Sequence, residues 1–172
     1  MELSLCEENT FNGLYSKNVK PLRNYIYYKC GELDKANDIV QDAFIKLWQN
    51  CSSVLFEKSV AYLYTVAKRL MYNLARHNKV VLHFEKNNFY NHTDNSPEYI
   101  LQEKEFETRL ETAISNLPEL QRITFLMNRI DKLTYEEIAL KQEVSVKAIE
   151  KRMNQALTSL KNELKELKYL KI

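Results

Sequence analysis

Residues 61–80 combine positive charge with aromatic rings in a pattern that suits nucleic acid. The stretch has no acidic residue, and its cations and tyrosines are Lys68, Arg69, Arg76, Lys79, Tyr62, Tyr64 and Tyr72. Lysine and arginine neutralise phosphates, and tyrosine rings stack on unpaired bases with about 1–3 kcal/mol per base. The pattern favours a surface that holds a separated DNA strand, although tyrosines partly buried in a helical core would also account for it.

A second surface of this kind is predicted on the helix that opens with VKAIEKRMNQAL. Between residues 145 and 161 four basic residues accompany a single acid. The side chains that can contact base edges or phosphates are Lys147, Glu150, Lys151, Arg152, Asn154 and Gln155. The solvated face of any helical bundle would have a similar composition, so the surrounding elements have to decide.

Local signals predict the two helices that present this second surface. Thr134-Tyr135-Glu136-Glu137 is a capping box, which starts a helix at Tyr135 that ends near Gln142. Three residues later Ser145 can cap the next helix, and this spacing matches a helix-turn-helix. The predicted buried side of the second helix consists of Val146, Ile149, Met153, Ala156 and Leu157.

An acidic and polar patch is predicted in the first half of the chain. Asp38, Gln41 and Asp42 stand at positions i, i+3 and i+4, so they share one helix face beside Phe44 and Trp48, which we expect to be buried. The patch could dock a basic partner, but for such a pair of aspartates taken alone an ordinary exposed face is the favoured explanation.

The composition predicts an all-α protein of two small helical domains joined by a flexible linker. Only two glycines and three prolines occur among 172 residues, which favours helices over β-turns. Helical periodicity runs through 10–30, 34–50 and 60–79, is lost from 80 to 102, and then resumes. The expected units are a first domain at 1–80, a linker at 81–102 and a helix-turn-helix domain at 103–172.

Several function classes find no support in the sequence. Cys6, Cys30 and Cys51 fit neither a disulfide framework nor a zinc site, so we expect reduced thiols in the cytosol. The acidic N-terminus is unlike a signal peptide, and no apolar run approaches the roughly 20 residues that span a bilayer. The histidines at positions 77, 83 and 92 stand in no catalytic motif, so neither an enzyme nor a cofactor or metal is expected.

The order of the motifs resembles that of the extracytoplasmic-function sigma factors of the sigma-70 family. The segments that carry the resemblance are FNGLY (11–15), ANDIVQDAFIKLW (36–48), AYLYTVAKRLMYNL (61–74), SPEY (96–99), LPELQRITFLM (117–127) and LTYEEIALKQEVSVKAIEKRMNQAL (133–157). Segments 36–48 and 61–79 look like region two of the family, and 133–157 looks like region four. Two motifs in the expected order are more specific than either motif alone.

The resemblance implies a factor that directs core RNA polymerase to promoters and assists their opening, without a catalytic residue of its own. Asp38, Gln41 and Asp42 would bind the coiled coil of the beta-prime clamp. The loop 49–59 and the helix 62–79 would read and melt the minus-ten element, and the loop would hold an extruded base. The implied minus-ten residues are Ser52, Ser53, Phe56, Tyr64, Lys68, Arg69, Tyr72, Asn73 and Arg76. The implied minus-thirty-five residues are Ser145, Lys147, Glu150, Lys151, Arg152, Asn154 and Gln155.

The same resemblance implies further partners, and this chain also differs from the family pattern at a few positions. Residues 80–102 would thread through the polymerase toward its RNA exit path. The pattern SVKAIEKRM looks closest to a branch common in Bacteroidota, which implies an anti-sigma factor that can hold this cytoplasmic protein at the inner membrane.

The family usually has Gly near Lys132 and Glu143, and a non-glycine residue in the left-handed conformation there costs roughly 1 kcal/mol of stability. The other departures are Gln142 in place of Leu, and Arg69 and Asn73 in place of Asn and Asp.

Two alternatives remain open at the level of sequence. A stand-alone helix-turn-helix repressor or activator would bind its operator without polymerase. An interaction adaptor would cover its basic and aromatic surface with protein, and it would lack the steep salt dependence of DNA binding.

Overall fold

The computed structural model describes residues 4–74, 82 and 97–164, and within them the side chains of Leu74 and of residues 97–103 are left out. The described residues contain seven α-helices, one 3-10 turn and no strand. The helices are α1 (Glu8–Cys30), α2 (Leu33–Gln49), α3 (Ser59–Leu74), α4 (Pro97–Asn116), α5 (Glu119–Arg129), α6 (Tyr135–Gln142) and α7 (Val146–Glu163). The all-α expectation is confirmed.

Helices α1, α2 and α3 pack together through their apolar stripes. Leu22 and Ile26 of α1, Leu47 of α2 and Leu63 of α3 are completely buried. Helix α1 ends where Gly31 takes a left-handed conformation (φ 75°) and donates its N–H to the Tyr27 carbonyl, a helix end that glycine adopts without strain. This first bundle also carries the 3-10 turn Phe56–Lys58, which leads directly into α3.

Helices α4 to α7 form the second half, in which α7 packs on α5 and α6. Pro118 precedes α5, as expected from the restart of the apolar pattern. The capping box at Thr134 is present, and the Ser145 hydroxyl accepts from the Ala148 N–H at the start of α7. Both predicted helix starts are therefore confirmed. The prediction was wrong for Leu157, which is 39% exposed, because it lies at the edge of the buried stripe.

The two halves lie against each other. Helix α1 packs on α5 and α3 packs on α6, and the buried apolar residues of both halves form one continuous cluster. Most of the predicted linker lies outside the described residues, but α4 already begins at Pro97, within the stretch assigned to the linker. None of the described helices is both long enough and apolar enough to cross a membrane.

One expectation about the cysteines was wrong. Cys6 and Cys51 form a disulfide across 45 positions of sequence, whereas the spacing had favoured reduced thiols throughout. The N-terminal segment folds back onto the end of α2 because Leu5 is buried in the core, and this brings Cys6 to Cys51. Cys30 remains a free thiol.

Candidate functional site

The outer face of α7 is open to solvent. Its exposed side chains are Lys147, Glu150, Lys151, Asn154 and Gln155, and together with Gln121 of α5 they line a shallow groove. Arg152 is different, because its guanidinium is half-buried and donates to Gln142 Oε1 at 2.7 Å. Five of the six predicted side chains of the recognition helix thus share one exposed face, and Arg152 joins α7 to α6 instead.

The turn between α6 and α7 keeps its shape without glycine. Glu143 ends α6 in the left-handed region (φ 56°), and the next N–H, from Val144, donates to the Ala139 carbonyl at 3.1 Å. Lys132, in the turn before α6, is also left-handed (φ 58°). Both departures from the family pattern are therefore accommodated as backbone strain, and the helix-turn-helix is retained.

Helix α3 presents a smaller cationic surface than the sequence predicted. Arg69, Tyr72 and Asn73 are exposed, and Lys68 is partly exposed with its Nζ 3.9 Å from Glu143 Oε2 of the second half. Tyr64 does not belong to this surface. It is 1% exposed, packs edge-on against Tyr25 and lies under the Lys141 ammonium. Arg76 lies outside the described residues.

The loop before α3 offers small polar side chains at its tip. Ser52 and Ser53 are exposed, and the N–H of Ser53 donates to the Asn50 carbonyl at 2.9 Å. Phe56 is half-buried, and its carbonyl accepts a 2.6 Å hydrogen bond from the Ser59 hydroxyl. The loop is therefore closed by its own hydrogen bonds, with the two serines facing solvent.

The patch on α2 is exposed as predicted, but its apolar border was missed. Asp38, Gln41 and Asp42 all lie on the surface. Trp48, expected to be buried, is 44% exposed and stands edge-on to Phe11 of α1 with ring centroids 4.9 Å apart. Its ring lines an apolar groove beside the patch, together with Phe11, Tyr15, Gln41, Phe44, Ile45 and Gln49. The repeated aromatic residues of FNGLY were the available signal.

Polar contacts between the two halves were also missed. The Lys29 ammonium in α1 is buried and forms an ion pair of 2.6 Å with Glu119 of α5. The pKa of Lys29 is raised, since the nearby Tyr25 and the bond to Glu119 outweigh its burial. Arg122 reaches back from α5 to donate to the Tyr28 carbonyl at 3.1 Å. Burial lowers the pKa of Arg122, against the opposing charge of Glu119.

Comparison with family models finds matches over most of the chain. The family model described as Sigma-70 region 2 matches residues 14–80, and the model described as Sigma-70, region 4 matches residues 107–160. The first range contains the α2 patch, the loop and α3, and the second contains both helices of the helix-turn-helix. The matched models thus cover every predicted site residue.

Similar proteins cover nearly the full length of the chain. Ferric citrate uptake sigma factor FecI of Escherichia coli (strain K12) is 28% identical over 150 residues, which are 86% of this chain and 87% of that protein. RNA polymerase sigma factor YlaC of Bacillus subtilis (strain 168) is 24% identical over 161 residues, which are 91% of this chain and 92% of that protein. A solved structure of the sigma factor RpoE with the anti-sigma factor NepR from Bartonella quintana has a TM-score of 0.61 at 20% identity, covering 90% of this chain and 96% of that one. This last likeness shows the fold.

Proposed function

We propose how the two halves of the chain divide the work of starting transcription, from the premise that the protein belongs to the extracytoplasmic-function sigma factors of the sigma-70 family. Such factors are transcription initiation factors and not enzymes. The second half would read the minus-thirty-five element, and the first half would bind the polymerase and open the minus-ten element. The exposed polar face of α7, on a correctly capped helix-turn-helix, is the observation that carries this proposal.

Recognition of duplex DNA is assigned to α7. Lys147 and Lys151 would neutralise phosphates and donate to guanine edges, and Glu150 would accept from a cytosine amino group. Asn154 and Gln155 lie one turn further along the same face and would donate to and accept from adenine. Ser145 contributes through the helix start, where its hydroxyl accepts from Ala148 N–H and fixes the orientation of the face.

Opening of the minus-ten element is assigned to the loop and α3. Arg69 and Lys68 would follow the backbone of one strand, while Tyr72 offers a ring for stacking and is 61% exposed. Ser52 and Ser53 would contact an extruded base, with the edge of Phe56 beside it. Extrusion costs a few kcal/mol of stacking, which such contacts can offset without ATP hydrolysis.

Binding of core RNA polymerase is assigned to α2. Asp38, Gln41 and Asp42 would contact the coiled coil of the beta-prime clamp through charge, and the apolar groove at Trp48 would bury aliphatic side chains of the same partner. A large aromatic ring left 44% exposed next to a charged patch is typical of an interface centre with a polar rim.

The packed arrangement of the halves would have to open for both DNA elements to be bound. A compact chain of this length has a radius of gyration of about 16 Å and so measures about 40 Å across. Elements centred about 25 base pairs apart are about 85 Å apart along B-form DNA. The packed form is therefore a resting state of the factor in this proposal, and polymerase binding would separate α1 from α5.

An anti-sigma factor is proposed as the partner of the resting state. The solved relative RpoE is in complex with the anti-sigma factor NepR, and its fold is shared by this chain. A cytoplasmic protein held in this way at the inner membrane would be released by a signal. The sequence pattern assigned to the Bacteroidota branch is consistent with such control.

Run-off transcription with purified core polymerase over genomic fragments tests the proposal. The factor should produce discrete transcripts that core polymerase alone does not make. A gel shift with and without core polymerase separates this function from that of a stand-alone regulator, which would bind its site tightly by itself. Absence of transcripts from every fragment, together with tight binding of the free protein, would refute the assignment.

A further inference from the structure

The disulfide between Cys6 and Cys51 lies beside the loop that is assigned to the minus-ten element. Cys51 directly precedes Ser52 and Ser53, and Cys6 belongs to the N-terminal segment that lies against this loop. The bond therefore joins a segment of no assigned function to the part of the first half that would hold an extruded base. Neither cysteine belongs to the core stripe of a helix.

The two cysteines are held together by more than their bond. Leu5, next to Cys6, is 2% exposed and belongs to the apolar core, so the N-terminal segment is anchored on one side. Cys51 is fixed at the end of α2, where its N–H donates to the Trp48 carbonyl at 3.2 Å. Because both backbones are anchored, with their Cα atoms 5.1 Å apart, reduction would leave the two thiols as neighbours that can pair again.

The pair is also accessible to a reagent from solution. Cys6 is exposed and Cys51 is half-buried, which makes Cys6 the sulfur that an external disulfide reaches first. Cys30 differs, because it is partly buried, its thiol donates to the Glu32 carbonyl, and burial raises its pKa. A raised thiol pKa lowers the fraction of reactive thiolate. Exchange should therefore act on Cys6 and Cys51 before Cys30.

We propose that Cys6 and Cys51 form a reversible thiol–disulfide switch that controls the minus-ten loop, an inference that rests on the function proposed for that loop. The oxidant is a low-molecular-weight disulfide. The Cys6 thiolate attacks one of its sulfurs and releases one thiol. The Cys51 thiolate then attacks the mixed disulfide at Cys6, forms the protein disulfide and releases a second thiol. Two electrons pass from the protein to the small disulfide, and the reverse exchange reduces the protein.

The oxidised state restrains the loop, so it is the less active state. With the disulfide in place, the loop is held covalently at Cys51 and by the hydrogen bonds from Ser53 and Val54 to the Asn50 carbonyl. Ser52 and Ser53 face solvent, so an extruded base can reach them, but the loop can close around that base only by moving Cys51, which the bond to Cys6 holds in place. After reduction the hydrogen bonds still shape the loop, but the covalent tie to Cys6 is gone. Base capture, and with it promoter opening, should be easier.

The test uses the full chain, core polymerase, and buffers of dithiothreitol or oxidised glutathione. Alkylation with a maleimide that shifts the gel band reports the thiol state, and run-off transcription reports activity. The wild-type protein should give several-fold more transcript when reduced. The double variant Cys6→Ser with Cys51→Ser should be equally active in both buffers, and Cys30→Ser should behave as the wild type. The thermal midpoint of the wild type should fall by about 5–15 °C on reduction, and that of the double variant should not change.

The outcomes separate the switch from the function on which it rests. If the reduced wild type transcribes but oxidation changes nothing, or increases transcription, the switch is overturned while the sigma function stands. A redox response that persists in the double variant also overturns it. If neither the reduced wild type nor the double variant yields transcripts with core polymerase, the proposed function fails first.

Discussion

The side-chain amide of Asn24 in α1 donates a 2.6 Å hydrogen bond to Asp131 Oδ1, in the turn that joins α5 to α6. The Tyr28 hydroxyl donates to the same oxygen at 3.1 Å. The other carboxylate oxygen of Asp131 is buried and has no hydrogen-bond partner among the described residues. Burial raises the pKa of Asp131, although the bonds from Asn24 and Tyr28 oppose this shift. A carboxylate that is costly to ionise thus lies between the two halves.

The pH dependence of stability should differ between the wild type and Asp131→Asn. Because the pKa of Asp131 is raised above its ordinary 3.8 in the folded protein, its contribution to stability is present at low pH and is lost as pH rises through the folded pKa. The wild type should therefore gain stability relative to Asp131→Asn as pH falls from 7 toward 4. Urea unfolding of both proteins at several pH values measures the difference between their free energies of unfolding. A difference that does not change with pH would contradict the raised pKa of Asp131.

Glu119→Gln should destabilise the protein by about 1–2 kcal/mol, because it leaves the buried Lys29 ammonium without its charged partner. The estimate stays below that for a fully buried pair because the Glu119 side chain is 42% exposed. Glu105→Gln, an exposed glutamate of α4, is the matched control and should change little. Thermal or urea unfolding of the two variants decides, and equal effects would mean that the ion pair contributes nothing.

Lys132→Gly should raise the free energy of unfolding by up to about 1 kcal/mol, since glycine adopts the left-handed conformation without strain. Glu143→Gly relieves the same strain but removes the contacts of Glu143 with Thr65 and Lys68, so its gain should be smaller. Lys151→Gly, within the regular helix α7, should instead destabilise by about 1 kcal/mol. Chemical unfolding of the three variants tests this order. A loss of stability in Lys132→Gly would show that its conformation carries no strain.

The double variant Asp38→Arg with Asp42→Arg should lose binding to core polymerase while its helical content is unchanged, because both side chains are exposed on α2. Pull-down with core polymerase and circular dichroism provide the two measurements. Glu150→Arg reverses a charge on the exposed face of α7 and should leave polymerase binding intact. Undiminished binding by the double variant would remove the assignment of the α2 patch.

Lys151→Ala should weaken promoter binding by the holoenzyme without changing the affinity for core polymerase, since the side chain points outward from α7. If Lys151 contacts a phosphate, the slope of log affinity against log salt should fall by about 1. Lys35→Ala removes an exposed lysine that pairs with Glu32 at the start of α2, and it serves as the control. Loss of both binding activities in Lys151→Ala would indicate misfolding instead.

Local patterns of the sequence were sufficient for the elements and for one of the surfaces. The capping box at Thr134 and the N-cap at Ser145 depend on residues only three positions apart, so the starts of α6 and α7 could be predicted. The outward face of α7 followed from helical spacing alone. Two of the errors, Trp48 and Leu157, lie at the edges of apolar stripes, where a shift of one position along the helix decides between burial and exposure.

The sequence by itself determined that the chain is helical, where its recognition helix begins, and which side chains of α7 point outward, because these properties arise from neighbours within one or two turns. Only the tertiary structure decided that Tyr64 is buried, that Cys6 meets Cys51, and that Lys29 pairs with Glu119 across 90 positions. Tyrosine, cysteine and lysine occur both as exposed surface residues and in contacts between distant parts of a chain. Which role each takes depends on the partner that folding brings to it from a distant part of the chain. The helical periodicity of the neighbouring residues contains no information about that partner.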